Sequence, residues 1–326
     1  MNLGTAFETT TITLPNSLHS TDTHSTDTHS TDIHGTDIHG TEEVTIALEH
    51  GGSGPPLLLL HGYPQTHLMW HKLAARLAAH FHVICPDLRG YGDSSKPVST
   101  PDFATYSKRA MARDMVQVMN ALGYERFAAA GHDRGARVLH RLARDYPQTL
   151  AKLCLMDIAP TLHMFQTADQ AFASAYYHWF FLIQPGGLPE KMIAADAAYY
   201  LREKLTRWSA VGDAFDTAFT PAAVAEYVRY FAMPDTLRAT CDDYRAAASI
   251  DLEHDRQDAQ KIACPLLVLW GKRGFIERNY DVLEVWKQHT APDVPVMGDA
   301  LDCGHFLPEE APNDVYNALM SFFGGQ

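Results

Sequence analysis

The sequence predicts an α/β fold: a mostly parallel sheet with helices on both faces and a helical cap inserted into it. Three observations carry this. Short apolar runs alternate with helical periodicities, the pattern of successive strand–helix units. The runs Leu57-Leu58-Leu59-Leu60 and Leu266-Leu267-Val268-Leu269-Trp270 are apolar throughout, as strands buried on both faces require. Between Thr161 and Ser249 the alternation stops, and a helix-forming stretch rich in aromatics takes over, including Tyr176, Tyr177, Trp179, Trp208, Tyr227 and Tyr244. The expected division is a disordered tail over residues 1–43, a core over 44–160 and 250–326, and a cap over 161–249.

The elements follow in order. From His19 a five-residue unit, His-Ser-Thr-Asp-Thr, repeats and decays through His39-Gly40-Thr41-Glu42-Glu43. It has no apolar face to bury, so disorder is expected, with weak transition-metal binding as a lesser reading of its histidines. Val44 to Leu48 alternates and reads as an edge strand. Leu57 to Leu60 is a buried strand ending in the turn His61-Gly62-Tyr63-Pro64. Trp70 to His80 reads as an amphipathic helix, Phe81 to Cys85 as a strand, and Ala110 to Leu122 as a helix. Strands at Phe127–Ala130, Leu153–Met156, Pro265–Gly271 and Pro295–Met297 complete the sheet. Asn313 is the expected N-cap of a final helix ending at Phe323.

The chain has 326 residues, 46% of them hydrophobic, enough for one large core with an inserted cap. Its net charge of −13 speaks against nucleic acid, which calls for a basic face. Five scattered cysteines suggest reduced residues rather than a disulfide frame. No signal peptide or membrane-length apolar run is visible, so a cytoplasmic protein with no membrane partner is expected.

Chemistry gathers at Gly131-His132-Asp133-Arg134-Gly135-Ala136-Arg137, which follows a strand and opens a helix. A Gly-x-Asp-x-Gly turn in that context is a nucleophile elbow with Asp where serine hydrolases carry Ser. The helix N-terminus favours an ionised, nucleophilic carboxylate. Asp157, at the end of the next strand, and His305, after Gly304 near the last helix, complete an acid–base set in chain order. Glu277 is a rival for the acid, but Asp157 sits where catalytic groups collect in open sheets. The backbone N–H groups of Tyr63 and Arg134 are candidates for an oxyanion hole. Arg134 and Arg137 suit a substrate carboxylate, while Arg141 and Arg144 continue a charged stripe, Arg144 reading as surface. An Asp nucleophile points to displacement at saturated carbon, so to carbon–halogen cleavage or epoxide opening.

The Gly131–Arg137 motif, His61-Gly62-Tyr63-Pro64-Gln65-Thr66-His67, Tyr177-His178-Trp179, Cys241-Asp242-Asp243-Tyr244-Arg245 and Gly304-His305-Phe306-Leu307-Pro308-Glu309-Glu310 resemble the fluoroacetate (haloacetate) dehalogenases of the α/β-hydrolase fold. The likeness runs from about Val44 to Phe323. It implies Asp133 as nucleophile with Asp157 and His305, and Arg134 and Arg137 on the substrate carboxylate. It also implies His178, Trp179 and Tyr244 around the halide, Lys204 and Trp208 at the entrance and lid, and a homodimer. Tyr63 stands where that loop often has Phe, and Gly186-Gly187 and Lys272 to Asn279 also depart from the pattern. The expected reaction converts a small anionic halo-acid to glycolate and halide, without metal or organic cofactor. The rivals are an epoxide hydrolase, with Tyr244 and less well Tyr177 as proton donors, and a catalytically silent binder of small acids.

Overall fold

Strand propensity and two-sided burial produce a single eight-stranded sheet among the described residues, ordered β1-β2-β4-β3-β5-β6-β7-β8. The computed structural model describes residues 1–15 and 43–324. The strands are β1 (Phe7–Thr13), β2 (Thr45–Gly51), β3 (Pro56–Leu60), β4 (His82–Pro86), β5 (Phe127–His132), β6 (Leu150–Met156), β7 (Leu266–Gly271) and β8 (Val296–Leu301). From β4 to β8 every pairing is parallel, while β1 and β2 add an antiparallel edge. Leu57 to Leu60 have no exposed surface, as expected for a strand covered on both faces.

The first strand corrects the expected tail. Phe7–Thr13 pairs residue for residue with β2, from Phe7 opposite Gly51 to Thr13 opposite Thr45, so β2 is not the edge. Its Thr, Ile and Phe favour extended backbone, and it supplies partners to an otherwise unpaired β2. Leu3 and Leu14, on either side of it, are buried in the core. The pentapeptide repeats lie outside the described residues, Glu43 excepted. In chain order they connect two paired strands rather than precede the core.

Two helix expectations change as well. Trp70 to His80 is not one helix but a 3₁₀ turn, His67–Trp70, and a short helix, Ala74–Leu77. Trp70, Leu73, Ala74 and Leu77 are still buried at helical spacing, so packing keeps the periodicity while the backbone breaks. The last helix is Pro312–Phe323, so Asn313 lies inside it rather than at its N-cap. Pro312 suits the first helical position, and the Asn313 side chain accepts a bond from Arg76 instead of capping.

The insertion between β6 and β7 is helical as expected, with helical turns continuing to Gln257. Arg141 and Arg144 are buried rather than on the surface. Arg144 pairs with Asp255 at 2.6 Å, and Arg141 pairs with Asp145 and Asp258, tying the helix Asp133–Asp145 to the base of the insertion. The five cysteines are unpaired and buried. No described helix is long and apolar enough to cross a membrane. The parallel order places the ends of β5 and β6, and the loop after β8, along one edge of the sheet under the cap, where open α/β sheets bind ligands.

Candidate active site

Asp133 stands at the junction of β5 and the helix Asp133–Asp145, with φ +45°. Such a left-handed conformation at a non-glycine residue is strained, and Asp tolerates it better than most. The flanking glycines spare the turn a Cβ clash. Neither has a left-handed φ, but each permits a close approach. A Cβ on Gly135 would lie 2.4 Å from the His61 carbonyl oxygen, and one on Gly131 would lie 2.8 Å from the Ala136 nitrogen. On the opposing loop, a Cβ on Gly62 would lie 2.6 Å from Asp133 Cβ. The elbow is thus clamped between two backbones.

Around Asp133 the polar geometry is well defined. The Tyr63 N–H donates to Asp133 Oδ1 at 2.9 Å. Asp133 Oδ2 faces His305 Nε2 at 4.0 Å, too long for a direct hydrogen bond. His305 Nδ1 is 2.5 Å from Asp157 Oδ2, and Asp157 Oδ1 accepts the Gly271 N–H at 2.9 Å. Asp157 too is left-handed, at φ +52°, directly after β6. Glu277 is exposed and bound to the Trp270 indole, so it does not reach His305. Burial alone raises the Asp133 carboxyl, but His305, His132 and the two arginines outweigh it and hold the pKa below the ordinary value. Burial likewise lowers His305, but its bond to Asp157 and the charges of Asp157 and Asp133 raise it overall.

The two arginines differ. Arg134 is fully buried and grips Asp243 through Nε at 2.9 Å and Nη2 at 2.6 Å, with Lys108 on the same carboxylate. Its Nη1 has no hydrogen-bond partner among the described residues, and its guanidinium lies over the Tyr244 ring at 4.3 Å. Arg137 is buried without a carboxylate at ion-pair distance among the described residues. It donates to the Ala159 carbonyl and Thr161 Oγ1, each at 3.0 Å, leaves Nε unpartnered, and lies over Trp179 at 4.8 Å.

From the cap, His178, Trp179 and Tyr244 are all buried, and the rings of His178 and Tyr244 meet edge-on with centres 5.4 Å apart. His178 Nδ1 and the Tyr244 hydroxyl have no hydrogen-bond partner. Burial, then Lys204 and other nearby cations, keep His178 neutral by driving its pKa well down. Trp208 packs on His178 with ring centres 4.5 Å apart, and its carbonyl accepts the His305 N–H at 2.8 Å. Lys204 is buried against the rings of Tyr177, Tyr200 and Trp208, and burial brings its pKa down to about 7. A cavity of about 330 Å³ opens onto His305, Asp157, Tyr176 and Trp208. A larger cleft of about 420 Å³, lined by Glu49, His67, Asp87 and Glu226, holds none of these groups.

Sequence reasoning missed three supports. Asp243 was within a quoted motif, but its pairing with Arg134 spans 109 positions. His132 Nε2 bonds the His305 carbonyl oxygen at 2.7 Å; the histidine beside Asp133 was its only signal. Glu310 accepts the N–H groups of Gly304, Phe306 and Ala210, each at 2.8 Å, and so frames His305 on both sides. Tyr177, weighed as a proton donor, is half exposed at the cavity that opens onto His305, whereas its neighbour Tyr176, which lines the same cavity, is buried.

Residues 55–312 match the family defined by the alpha/beta hydrolase fold. A fluoroacetate dehalogenase from a Burkholderia species is 44% identical over 86% of this chain and 90% of its own. A soluble epoxide hydrolase from Corynebacterium is 34% identical over 83% and 91%. The crystal structure of an alpha/beta hydrolase from Nostoc sp PCC 7120 shares 57% identity and a TM-score of 0.84 over 88% of this chain and 97% of that one. The strand order, the Asp-bearing elbow and these similarities agree: the chain belongs to the α/β-hydrolase fold and, within it, to the fluoroacetate/haloacetate dehalogenase family.

Proposed function

We propose that the protein is a hydrolytic haloacetate dehalogenase. The observation that carries the reading is Arg137: a buried guanidinium that feels the charge of Asp133 but has no carboxylate at ion-pair distance among the described residues. An unpaired buried charge is costly, and a substrate carboxylate supplies the missing partner. Arg134 contributes its free Nη1, Asp243 holding the rest of the guanidinium in place.

With the carboxylate so anchored, the halogen-bearing carbon lies over Asp133. Oδ2 attacks that carbon, the carbon–halogen bond breaks with its electron pair, and an ester forms on Asp133. His178, Trp179 and Tyr244 donate to the departing halide; fluoride, a poor leaving group, needs such donors most. His305 then takes a proton from a water that attacks the ester carbonyl, and Asp157 stabilises the imidazolium. Charge develops on Oδ1, which the Tyr63 N–H already holds. Collapse releases glycolate and restores Asp133.

The test follows free halide from fluoroacetate and chloroacetate with wild type and Asp133→Ala. Release by wild type and none by the variant is expected. No release from either substrate overturns the reading, whereas chloride release alone retains the mechanism but removes fluoride as a substrate.

A further inference from the structure

Two buried phenols flank the neutral His178 edge-on, Tyr176 with ring centres 5.6 Å from it and Tyr244 with 5.4 Å. Halide departure, as described above, uses only one of them. Tyr244 has a hydroxyl without a hydrogen-bond partner. Tyr176 lines the cavity that opens onto His305 and Asp157. Burial is the largest influence on both phenols, and the Asp133 carboxylate acts on both, so both lie within its field and stay protonated well above neutral pH. A halide leaves as a stable anion and needs only hydrogen bonds. An oxygen displaced from carbon leaves as an alkoxide and needs a proton, which phenols can supply.

We propose that this site also opens small epoxy-carboxylates, the simplest being oxirane-2-carboxylate (glycidate), with Tyr176 and Tyr244 as the O–H donors to the oxirane oxygen. The proposal rests on the Asp133 and arginine arrangement used for haloacetate, and it adds a substrate class and a residue. Glycidate carries its reactive carbon directly on the carboxylate, as haloacetate does. Anchored by Arg134 and Arg137, it presents C2 to Asp133. Oδ2 forms a bond to C2 and the C2–O bond breaks. The electron pair goes to the oxygen, which takes a proton from one phenol and becomes the hydroxymethyl group of the ester. His305 removes a proton from water, the hydroxide attacks the Asp133 carbonyl carbon, and the phenolate regains a proton through His305. The sum is glycidate plus water giving glycerate, inverted at C2 and with no change of oxidation state.

The experiment supplies each glycidate enantiomer and fluoroacetate, in parallel, to the full chain, and measures glycerate and fluoride. Glycerate at least about tenfold above the enzyme-free rate is expected. Tyr176→Phe is expected to lower glycerate formation at least about tenfold more than it lowers fluoride release. In His305→Asn, mass spectrometry is expected to find the glycidate-derived ester on Asp133. Fluoride without glycerate overturns this proposal and leaves the dehalogenase reading standing. Glycerate without fluoride supports it and removes fluoroacetate as a substrate, the chloroacetate assay then deciding the dehalogenase reading. Finding neither product overturns this proposal, and equal losses of the two activities in Tyr176→Phe overturn the donor assignment.

Discussion

At the residue scale the site turns on how charge is held before substrate arrives. Arg134 is locked by Asp243, whereas Arg137 rests on a carbonyl, a hydroxyl and an indole ring. Arg137→Met should therefore raise KM for haloacetate by about ten- to hundredfold, the worth of one or two hydrogen bonds to a charged group, with a smaller change in kcat. Steady-state kinetics with chloroacetate checks this. In the proposed mechanism His305 serves as base only when neutral, and its pKa is raised mainly through Asp157 once burial is overcome. Ester hydrolysis should fail as pH drops through a value above about 6.5, the ordinary imidazole value. In Asp157→Asn that acid limb should move to lower pH and kcat should fall; a pH–rate profile reads both. His305, Asp133 and the arginines were legible in sequence because the elbow motif and the chain order of the triad are local or conventional signals. Asp243, Glu310 and Tyr176 were not, because each role exists only once distant segments meet.

Elements set where those residues stand. The loop after β8 is framed by Glu310, whose carboxylate accepts three backbone N–H groups around His305 and at Ala210. Glu310→Gln keeps the size but removes the charge and one acceptor site, so kcat should fall about ten- to hundredfold with little change in KM. An unchanged kcat would show that the His305 loop holds its position without this carboxylate. Strand β1 makes a second element-scale claim. Joining Leu14 to Val44 by a short turn in place of the intervening residues should leave thermal stability within a few degrees, because β1, Leu3 and Leu14 remain. Deleting residues 1–43 removes that edge strand and two buried leucines, each worth about 1.5–3 kcal/mol, and should lower Tm markedly. Calorimetry of the two chains separates a dispensable connection from a structural strand.

For the whole molecule, buried ionisable groups predict a stability maximum near neutrality. Burial lowers His67, but Asp87 and Glu49 outweigh it and raise its pKa to about 10. A raised histidine stabilises fully below its unfolded value of about 6.5, and that contribution is lost as pH climbs toward 10. Burial raises Glu309 to about 8, so the stability its protonated form contributes is lost over an overlapping range, from about 4.3 to 8. On the acid side, burial and then His305 lower His132 to about 3, and its stability is present above about 6.5 and lost as pH falls toward 3. Three histidines that burial holds low, His132, His140 and His178, outweigh Glu309 on the acid side, so Tm should decline on both sides of about pH 6.5, and His67→Gln should flatten the alkaline decline. A flat Tm from pH 5 to 9 would contradict this balance.

By itself the sequence determined the class of fold, the parallel strands and the helical insertion, and it picked out the residues proposed as nucleophile, acid and base. These depend on apolar periodicity, turn chemistry and residue order, all properties of short stretches. Tertiary structure alone decided that Phe7–Thr13 is a strand, that Arg134 is committed to Asp243 while Arg137 is not, and that Tyr176 is buried at the cavity while Tyr177 stays exposed beside it. Each of these is set by pairing or burial between segments far apart in the chain, and the free energy of such contacts is written in no single segment.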